Sequence, residues 1–564
     1  MRIALGQMAI RPGDIAANLE TVLAQVSQAR AGGADLLVLP ELCLCGLLCG
    51  GYFADADFVA DCLCQNAHIA AAAKDIAVVF GNLGRTVDGR LKNSVYLAQE
   101  GEIRELQPFL GQSAIPNAYA AFAETPGAVA ELKIKGEPLR LVIALGEAAL
   151  PQVTDGLPLY LAHRPLDLQR PFDHPNGLWL NPVGLQSTGK TCYLLAGGSA
   201  YWQNGQNVAA AELLKPQLLL TDSGQAAQQP KGGDLIFAAL VAGVRAFFAA
   251  NGSKRAVIGL SGGIDSALAA CVYCAALGSE NVLLINMPSR YNSHLTKDLA
   301  RDLAAALHSH YAVLSIEESV QATIQQFAQT PVSAPDGSQW YIPLEGLTLE
   351  NLQARNRSAR VLATAAAGWK ALFTCNGNKA EAAVGYATFY GDLAGAFAAL
   401  GDLWKHQVYA ASEAAGRYFP EAAGAMAGIA AIRPSAELSP KQSVEEGKGD
   451  PLLYDYHDYL LASWVEQGSS PADMLAWYRA GTLEARIGCA PGLARTYFDT
   501  PAAFIADLEY WWRMHKGIAV AKRQQAPPIL ALSSHPFGES RPEAQMRPYF
   551  STRYARLKKE LLDD

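Results

Sequence analysis

The stretch Ala256-Val257-Ile258-Gly259-Leu260-Ser261-Gly262-Gly263-Ile264-Asp265-Ser266 decides how this chain is read. A short apolar run ends in a Ser-Gly-Gly turn, and an Ala-rich run from Ala267 to Leu277 follows. That order predicts a buried strand, a tight turn and a helix. Such a turn aims backbone N–H groups and a helix N-terminus at one point, which favours a phosphate oxyanion. Gly262 and Gly263 let the backbone approach a ligand with no Cβ in the way. The hydroxyls of Ser261 and Ser266 add donors, and the carboxylate of Asp265 can hold Mg²⁺ against phosphates. The glycine spacing is not that of a Walker loop, and no Lys-Ser/Thr pair follows the second glycine.

Around this stretch, composition sets bounds. A chain of 564 residues exceeds one ordinary core, so two or more domains are expected. Half the residues are apolar and 17% are charged, the balance of a folded protein. A formal charge of −8 supplies no basic field for nucleic acid. No uninterrupted apolar run of 18 residues occurs, so no transmembrane helix is expected. The opening Met1-Arg2-Ile3-Ala4-Leu5-Gly6-Gln7 lacks a signal-peptide pattern and reads as a first strand. Ten cysteines in a chain this long argue against a disulfide scaffold and fit a reducing cytoplasm. Five of them bunch at Cys43, Cys45, Cys49, Cys62 and Cys64, without a Cys-x₂-Cys pair. They read as small buried hydrophobes rather than as a metal site.

Residues 223–233 are polar and Gly/Gln-rich, which marks a linker between a front domain, 1–222, and a rear domain, 234–564. Strands are expected near 2–8, 35–39, 76–81, 139–145 and 177–181 in front, and near 256–260, 282–286 and 370–375 behind. Both halves alternate strands with Ala-rich helical runs and read as α/β. Trp340-Tyr341-Ile342-Pro343 and the Trp511-Trp512 pair read as core or interface.

The turn at 261–266 resembles the pyrophosphate loop of the ATP pyrophosphatases, which cut ATP between its α and β phosphates and adenylate a substrate. Further motifs follow in order. They are Met287-Pro288-Ser289-Arg290-Tyr291, Leu347 to Arg355, Asn376-Gly377-Asn378-Lys379-Ala380-Glu381, Gly385 to Asp392, Gly401-Asp402-Leu403-Trp404-Lys405, Arg433 to Leu438 and Lys522 to Pro528. Together they resemble the NAD synthetase family, in the form that carries a nitrilase-like domain in front. The resemblance implies a doubly wound parallel-sheet domain of the adenine nucleotide α-hydrolase type. It also implies a reaction: nicotinic acid adenine dinucleotide (deamido-NAD), ATP and ammonia give NAD, AMP and pyrophosphate. ATP would enter as substrate with Mg²⁺. Gly259, Leu260, Ser261, Gly262, Gly263, Ile264, Asp265 and Ser266 would cradle the ATP phosphates. Asp265 and Glu381 would hold Mg²⁺, and Lys405 would be the phosphate-binding cation. Asn351, Arg355, Glu381 and Lys522 would contact the dinucleotide. Asn376 stands where the family has Thr beside ATP. A homodimer or larger homo-oligomer is implied as well, with no nucleic acid and no membrane.

In the front half, Leu36 to Leu42, Ile76 to Asn82 and Asn93-Ser94 resemble the nitrilase-like (carbon–nitrogen hydrolase) family, an α-β-β-α sandwich. Its amide hydrolysis uses a Glu base, a Lys that stabilises the oxyanion and a Cys nucleophile. Glu41 matches the base. The Lys position, before Ile115-Pro116-Asn117, falls on Gln112, and the Cys position, after Leu141-Val142-Ile143-Ala144-Leu145, falls on Gly146. No cysteine lies between Cys64 and Cys192, so no shift of register supplies one. The front site therefore reads as a degenerate glutaminase, Glu41, Gln112 and Gly146, and the whole as an ammonia-dependent enzyme. Two alternatives stay open: a glutamine-dependent enzyme whose nucleophile is Cys43, Cys45 or Cys192, and a non-catalytic sensor of NAD precursors. Other adenylating enzymes, such as GMP or asparagine synthetases, share the pyrophosphate loop but not the Gly385-to-Asp392 stretch.

Overall fold

The structure is a computed structural model that describes every residue except 147–149, 151–155, 171–173, 225, 539–542, 544–546 and 564. The chain divides into two compact units. The first is Met1–Lys231 with Ala531–Ser533, and the second is Gly232–Leu530 with Ser534–Asp564.

The first unit runs β1 (Ile3–Gln7), α1 (Ile15–Ala31), β2 (Leu36–Val38), α2 (Ala56–Ala72), β3 (Ala77–Arg85), β4 (Leu91–Gln99), β5 (Glu102–Leu106) and β6 (Phe109–Leu110). It continues with β7 (Ala130–Ile134), β8 (Glu137–Leu145), β9 (Leu157–Leu161), β10 (Gly177–Leu180), β11 (Val183–Ser187), β12 (Thr191–Ala196), β13 (Ala200–Gln203), β14 (Gln206–Ala210) and β15 (Gln217–Leu220). One sheet has the order β15-β1-β2-β3-β4-β5, and a second has β14-β13-β10-β9-β8-β6 with β7 beside β8. Alternation along the strands builds the layers. Leu36 and Val38 of β2 join Leu141, Ile143 and Leu159 in the core between the sheets. Leu37 points the other way, to Val22 and Val26 of α1 and Ile69 of α2. Each such side chain contributes about 1.5–3 kcal/mol on burial. Among the described residues no helix follows α2 in this unit.

The second unit contains α3 (Gly232–Ala250), β16 (Ala256–Gly259), α4 (Ile264–Leu277), β17 (Val282–Asn286), β18 (His310–Val313), α5 (Leu347–Arg355), β19 (Leu372–Phe373), α6 (Lys379–Val384), α7 (Lys405–Tyr418), α8 (Tyr454–Val465) and α9 (Ile518–Gln525), with further helices between them. The sheet has the order β18-β17-β16-β19, and all its pairs are parallel. The chain leaves β16 towards β17 on one side and returns to β19 on the other. That reversal is a topological switch point, where ligands bind in doubly wound sheets.

Two expectations, for a strand and for Cys64, need correction. The strand near 370–375 shortens to Leu372–Phe373, because Thr374 onwards turns towards the switch point. Of the aromatic runs read as core or interface, Trp340, Tyr341 and Ile342 are exposed, at and after a small hairpin, and Trp511 is buried. Cys64 is exposed while Cys43, Cys45, Cys49 and Cys62 are buried. By length and composition alone α3 would be apolar enough to cross a membrane, a test that buried core helices also pass. Asp234 and Arg245 interrupt its apolar run. Its buried face, Ile236, Leu240, Val244 and Phe248, lies in an element packed on α4 and α7.

Candidate active site

The turn after β16 is built by its own side chains. Ser266 Oγ donates to Gly263 O at 2.9 Å, Ser261 N donates to Ser266 Oγ at 3.2 Å, and Gly263 N donates to Ser261 Oγ at 3.2 Å. Leu260 N is tied to Ile285 O of β17, and Ile264 opens α4 behind Gly263. Gly262 has φ +89°, and a Cβ there would lie 2.2 Å from the carbonyl oxygen of Thr296. Gly262→Ala is therefore expected to destabilise the second unit, by about 1–3 kcal/mol from the left-handed backbone alone, and to weaken ATP binding; a denaturant melt and an ATP titration check this.

Asp265, in the first turn of α4, faces the N-termini of two other helices. Lys405 Nζ, at the start of α7, lies 2.5 Å from Asp265 Oδ2 and 4.0 Å from Glu381 Oε1. Glu381 sits on α6, whose first turn is closed reciprocally with Asn378. Asn378 also donates to Asp265 Oδ1 at 3.1 Å, so one buried amide joins both acids. Burial, and then the charge of Asp265, pushes the Glu381 carboxyl well above the usual carboxylate range, against the pull of Lys405. Burial works against the Lys405 ammonium, but Asp265 and Glu381 outweigh it and hold its pKa above the ordinary lysine value. A third acid, Asp450, accepts from Tyr386 Oη and Ala436 N, each at 3.0 Å, and burial raises its pKa. The Lys405 ammonium also stands 4.8 Å from the centre of the Tyr454 ring. Asn376 Nδ2 donates to Gly259 O at 3.3 Å, across the switch point.

The other predicted residues gather on the segment after α6. Lys522 Nζ, on α9, donates to Gly385 O at 2.7 Å. Arg355 Nε donates to Phe389 O at 3.1 Å, and Asn351 Oδ1 accepts from Thr388 Oγ1 at 2.8 Å. Sequence reading gave no role to Asn378 or Asp450. The Asn-x-x-Glu spacing at 378–381 carries the capping signal that would have found the first. Asp450 stands in a loop without periodicity, where no such signal exists.

In the first unit, Glu41 is fully buried behind β2. It accepts from Asn93 Nδ2 at 2.7 Å and from Tyr119 Oη at 2.7 and 2.8 Å, and His163 Nδ1 lies 3.1 Å away. Gly146 follows β8 with φ +66°, and a Cβ there would stand 2.6 Å from Gln112 O and 3.1 Å from Tyr119 Oη. The Gln112 side chain is exposed, and the residue contributes only a backbone wall to this corner. Glu147 and Ala148, quoted above with the strand, lie outside the described residues. A small cavity lined by Ser113, Tyr119, Gly146, His163, Arg164 and Trp179 opens here. Burial pushes the Cys43 thiol to about 12 and raises that of Cys192. Cys45 is raised well above its ordinary range by its hydrogen bonds with Cys49 and Cys62. None of the three is poised as a thiolate.

The NAD synthase family profile matches residues 236–483, and the carbon–nitrogen hydrolase profile matches residues 2–108. The chain is 30% identical over 523 residues to the glutamine-dependent NAD(+) synthetase of Rhodobacter capsulatus, covering 84% of this chain and 90% of that one. It is 28% identical over 520 residues to the enzyme of the same name from Xylella fastidiosa strain Temecula1, covering 86% and 92%. In fold it is similar to the crystal structure of a glutamine-dependent NAD(+) synthetase from Cytophaga hutchinsonii, with TM-score 0.74 at 18% identity over 100% of this chain and 99% of that one.

Proposed function

Because the chain belongs to the NAD synthetase family that joins a carbon–nitrogen hydrolase domain to a synthase domain, we propose that it amidates deamido-NAD with free ammonia at the expense of ATP. A carboxylate is a poor acyl donor, since oxide is a poor leaving group. In the proposed first step a carboxylate oxygen of the substrate attacks the α-phosphorus of ATP and pyrophosphate leaves. Ammonia then attacks the acyl carbon of the mixed anhydride, and AMP departs with the bonding electrons.

The turn at 259–266 would hold the phosphates through backbone N–H groups, and Lys405 would offset their charge. Asp265 and Glu381 fit a dication: two part-buried acids, one with its pKa raised partly by the other, are a set that a hard cation would relieve. Two carboxylates completed by phosphate oxygens suit Mg²⁺, which supplies charge neutralisation on the transferring phosphoryl group when bound. Asn376 would donate towards ATP. Asn351, Arg355 and Lys522 would order the 385–390 segment against the dinucleotide.

Support for ammonia as the nitrogen donor rests on Gly146. A thiol nucleophile there would need a side chain where the carbonyl of Gln112 and the phenol of Tyr119 already stand, and Glu41 is engaged by Asn93, Tyr119 and His163. A second reading, glutamine as donor, is favoured by the relatives' names, which are those of glutamine-dependent enzymes. Pyrophosphate release and glutamate release, each measured with ammonium and then with glutamine, separate the two. The expected outcome is turnover with ammonium and no glutamate from glutamine. Glutamate release that thiol alkylation abolishes would replace this reading with the second.

A further inference from the structure

Two residues within the rear motifs take no part in this chemistry: Lys379, two positions before Glu381, and Asp402, three before Lys405. In the fold they meet. Both side chains are wholly buried, and Lys379 Nζ lies 2.8 Å from Asp402 Oδ1. A second carboxylate, Glu466 at the end of α8, is 3.1 Å from the same nitrogen. Trp404 Nε1 donates to Glu466 Oε1 at 2.6 Å, and the Lys379 ammonium stands 5.2 Å from the centre of the Trp404 ring. The main chain repeats the join, with Lys379 N donating to Leu403 O at 2.8 Å.

The position of this knot matters. Lys379 is the first residue of α6, which carries Glu381, and Trp404 is the residue before α7, which Lys405 opens. The acid and the ammonium that face each other across 4.0 Å are thus each within two residues of the knot. Short helices such as α6 have little stiffness of their own, so their first turns are held by what they touch. A buried charge cluster is also a costly way merely to fill a core, since apolar side chains of similar volume often serve as well or better.

We propose that Lys379, clamped by Asp402 and Glu466, is a positioning residue that sets the spacing of Glu381 and Lys405. It touches no substrate and acts through those two residues, and so it rests on their reading as the NAD-forming site. The alternative is that the cluster only stabilises α6 in the core.

Two variants of the full chain separate these roles: Lys379→Met, and Lys379→Met combined with Asp402→Asn. The single variant strands buried carboxylates and is expected to melt early. The double variant removes one cation and one anion together, so its melting temperature should recover towards that of the parent. Its kcat for ammonium-dependent NAD formation should stay about 10–100-fold low, because a displacement near 1 Å at reacting groups costs that much. A double variant with kcat within about twofold of the parent overturns the proposal. A crystal structure of the double variant gives a readout free of activity. Displacement of Lys405 from Asp265 and Glu381 upholds the role, and an unchanged arrangement overturns it. Should the parent itself form no NAD with either nitrogen donor, the functional reading fails, while the crystal structure still decides the positioning role.

Discussion

Lys405→Met is expected to lower ammonium-dependent pyrophosphate release by at least about 10²–10³-fold, the cost of removing one preorganised charge from the site where we propose that phosphoryl charge develops. The same change is expected to destabilise the metal-free protein, by at most about 3–5 kcal/mol, because it leaves the part-buried carboxylates of Asp265 and Glu381 without their counter-charge. The sign follows from linkage. Lys405 has its pKa raised in the fold by Asp265 and Glu381, over the opposing effect of burial. Its contribution to stability is therefore complete below the unfolded lysine value and would be lost only as pH rises through the folded one. At neutral pH all of it is present, so all of it is removed by the substitution. Acid should narrow the deficit, since Glu381 and Asp450, both with raised pKa, take up protons as pH falls and no longer repel. Urea melts at neutral and mildly acid pH, beside a pyrophosphate assay, test both halves. A variant that keeps its activity and its melting point removes Lys405 from the site.

The path from sequence to this site was uneven, and for physical reasons. β16 and the turn after it were legible because a parallel strand covered on both faces reads as a continuous apolar run, and because Gly262 stands where only glycine fits the Thr296 carbonyl. The meeting of Asp265, Glu381 and Lys405 was legible only through the order of motifs. No local period places the start of α4 against the starts of α6 and α7; that is set by the switch point between β16 and β19. Arg357 shows the limit from the other side. On a regular helix after Arg355 it reads as an exposed cation. In the structure residues 356–362 form a π-helix, whose wider turn resets which positions face inward. The Arg357 guanidinium consequently bonds Met287 O and Asn292 Oδ1, and burial lowers its pKa to about 10.

In the first unit, the missing thiol at Gly146 was plain in the sequence, since a residue type that is absent needs no folding to be noticed. What took its place was not. Tyr119 lies in an irregular segment after Ile115-Pro116-Asn117, with no periodicity to aim it, yet its phenol bonds both oxygens of Glu41. Burial and the Glu41 charge raise the Tyr119 pKa well above its ordinary value, so the phenol stays protonated and donates. The corner thus holds Glu41 in hydrogen bonds from Asn93 and Tyr119 where the family pattern would place a sulfur beside it.

Glu381→Gln is expected to separate function from stability. Activity should fall by at least about 10²-fold, through loss of an acid proposed to hold Mg²⁺. Without metal, however, the variant should be more stable than the parent at neutral pH, by about 0.5–2 kcal/mol, the gain typical when functional strain is relieved. Gln keeps an oxygen that can accept from Asn378 N, as Glu381 Oε2 now does at 3.3 Å, so the first turn of α6 stays closed. The charge is what changes. Glu381 has its pKa raised in the fold by burial and Asp265. Stability tied to its protonated form is fully present below the unfolded carboxylate value and is lost as pH rises through the folded one. At neutral pH the parent therefore carries a penalty that Gln lacks, and the gap between the two should close in acid. Mg²⁺ with ATP should reverse the order, because a ligand stabilises whichever protein binds it more tightly. Thermal melts of both proteins across pH, with and without Mg²⁺ and ATP, measure each part. A variant less stable than the parent in metal-free neutral buffer would show that Glu381 holds the fold together rather than straining it for the sake of a cation.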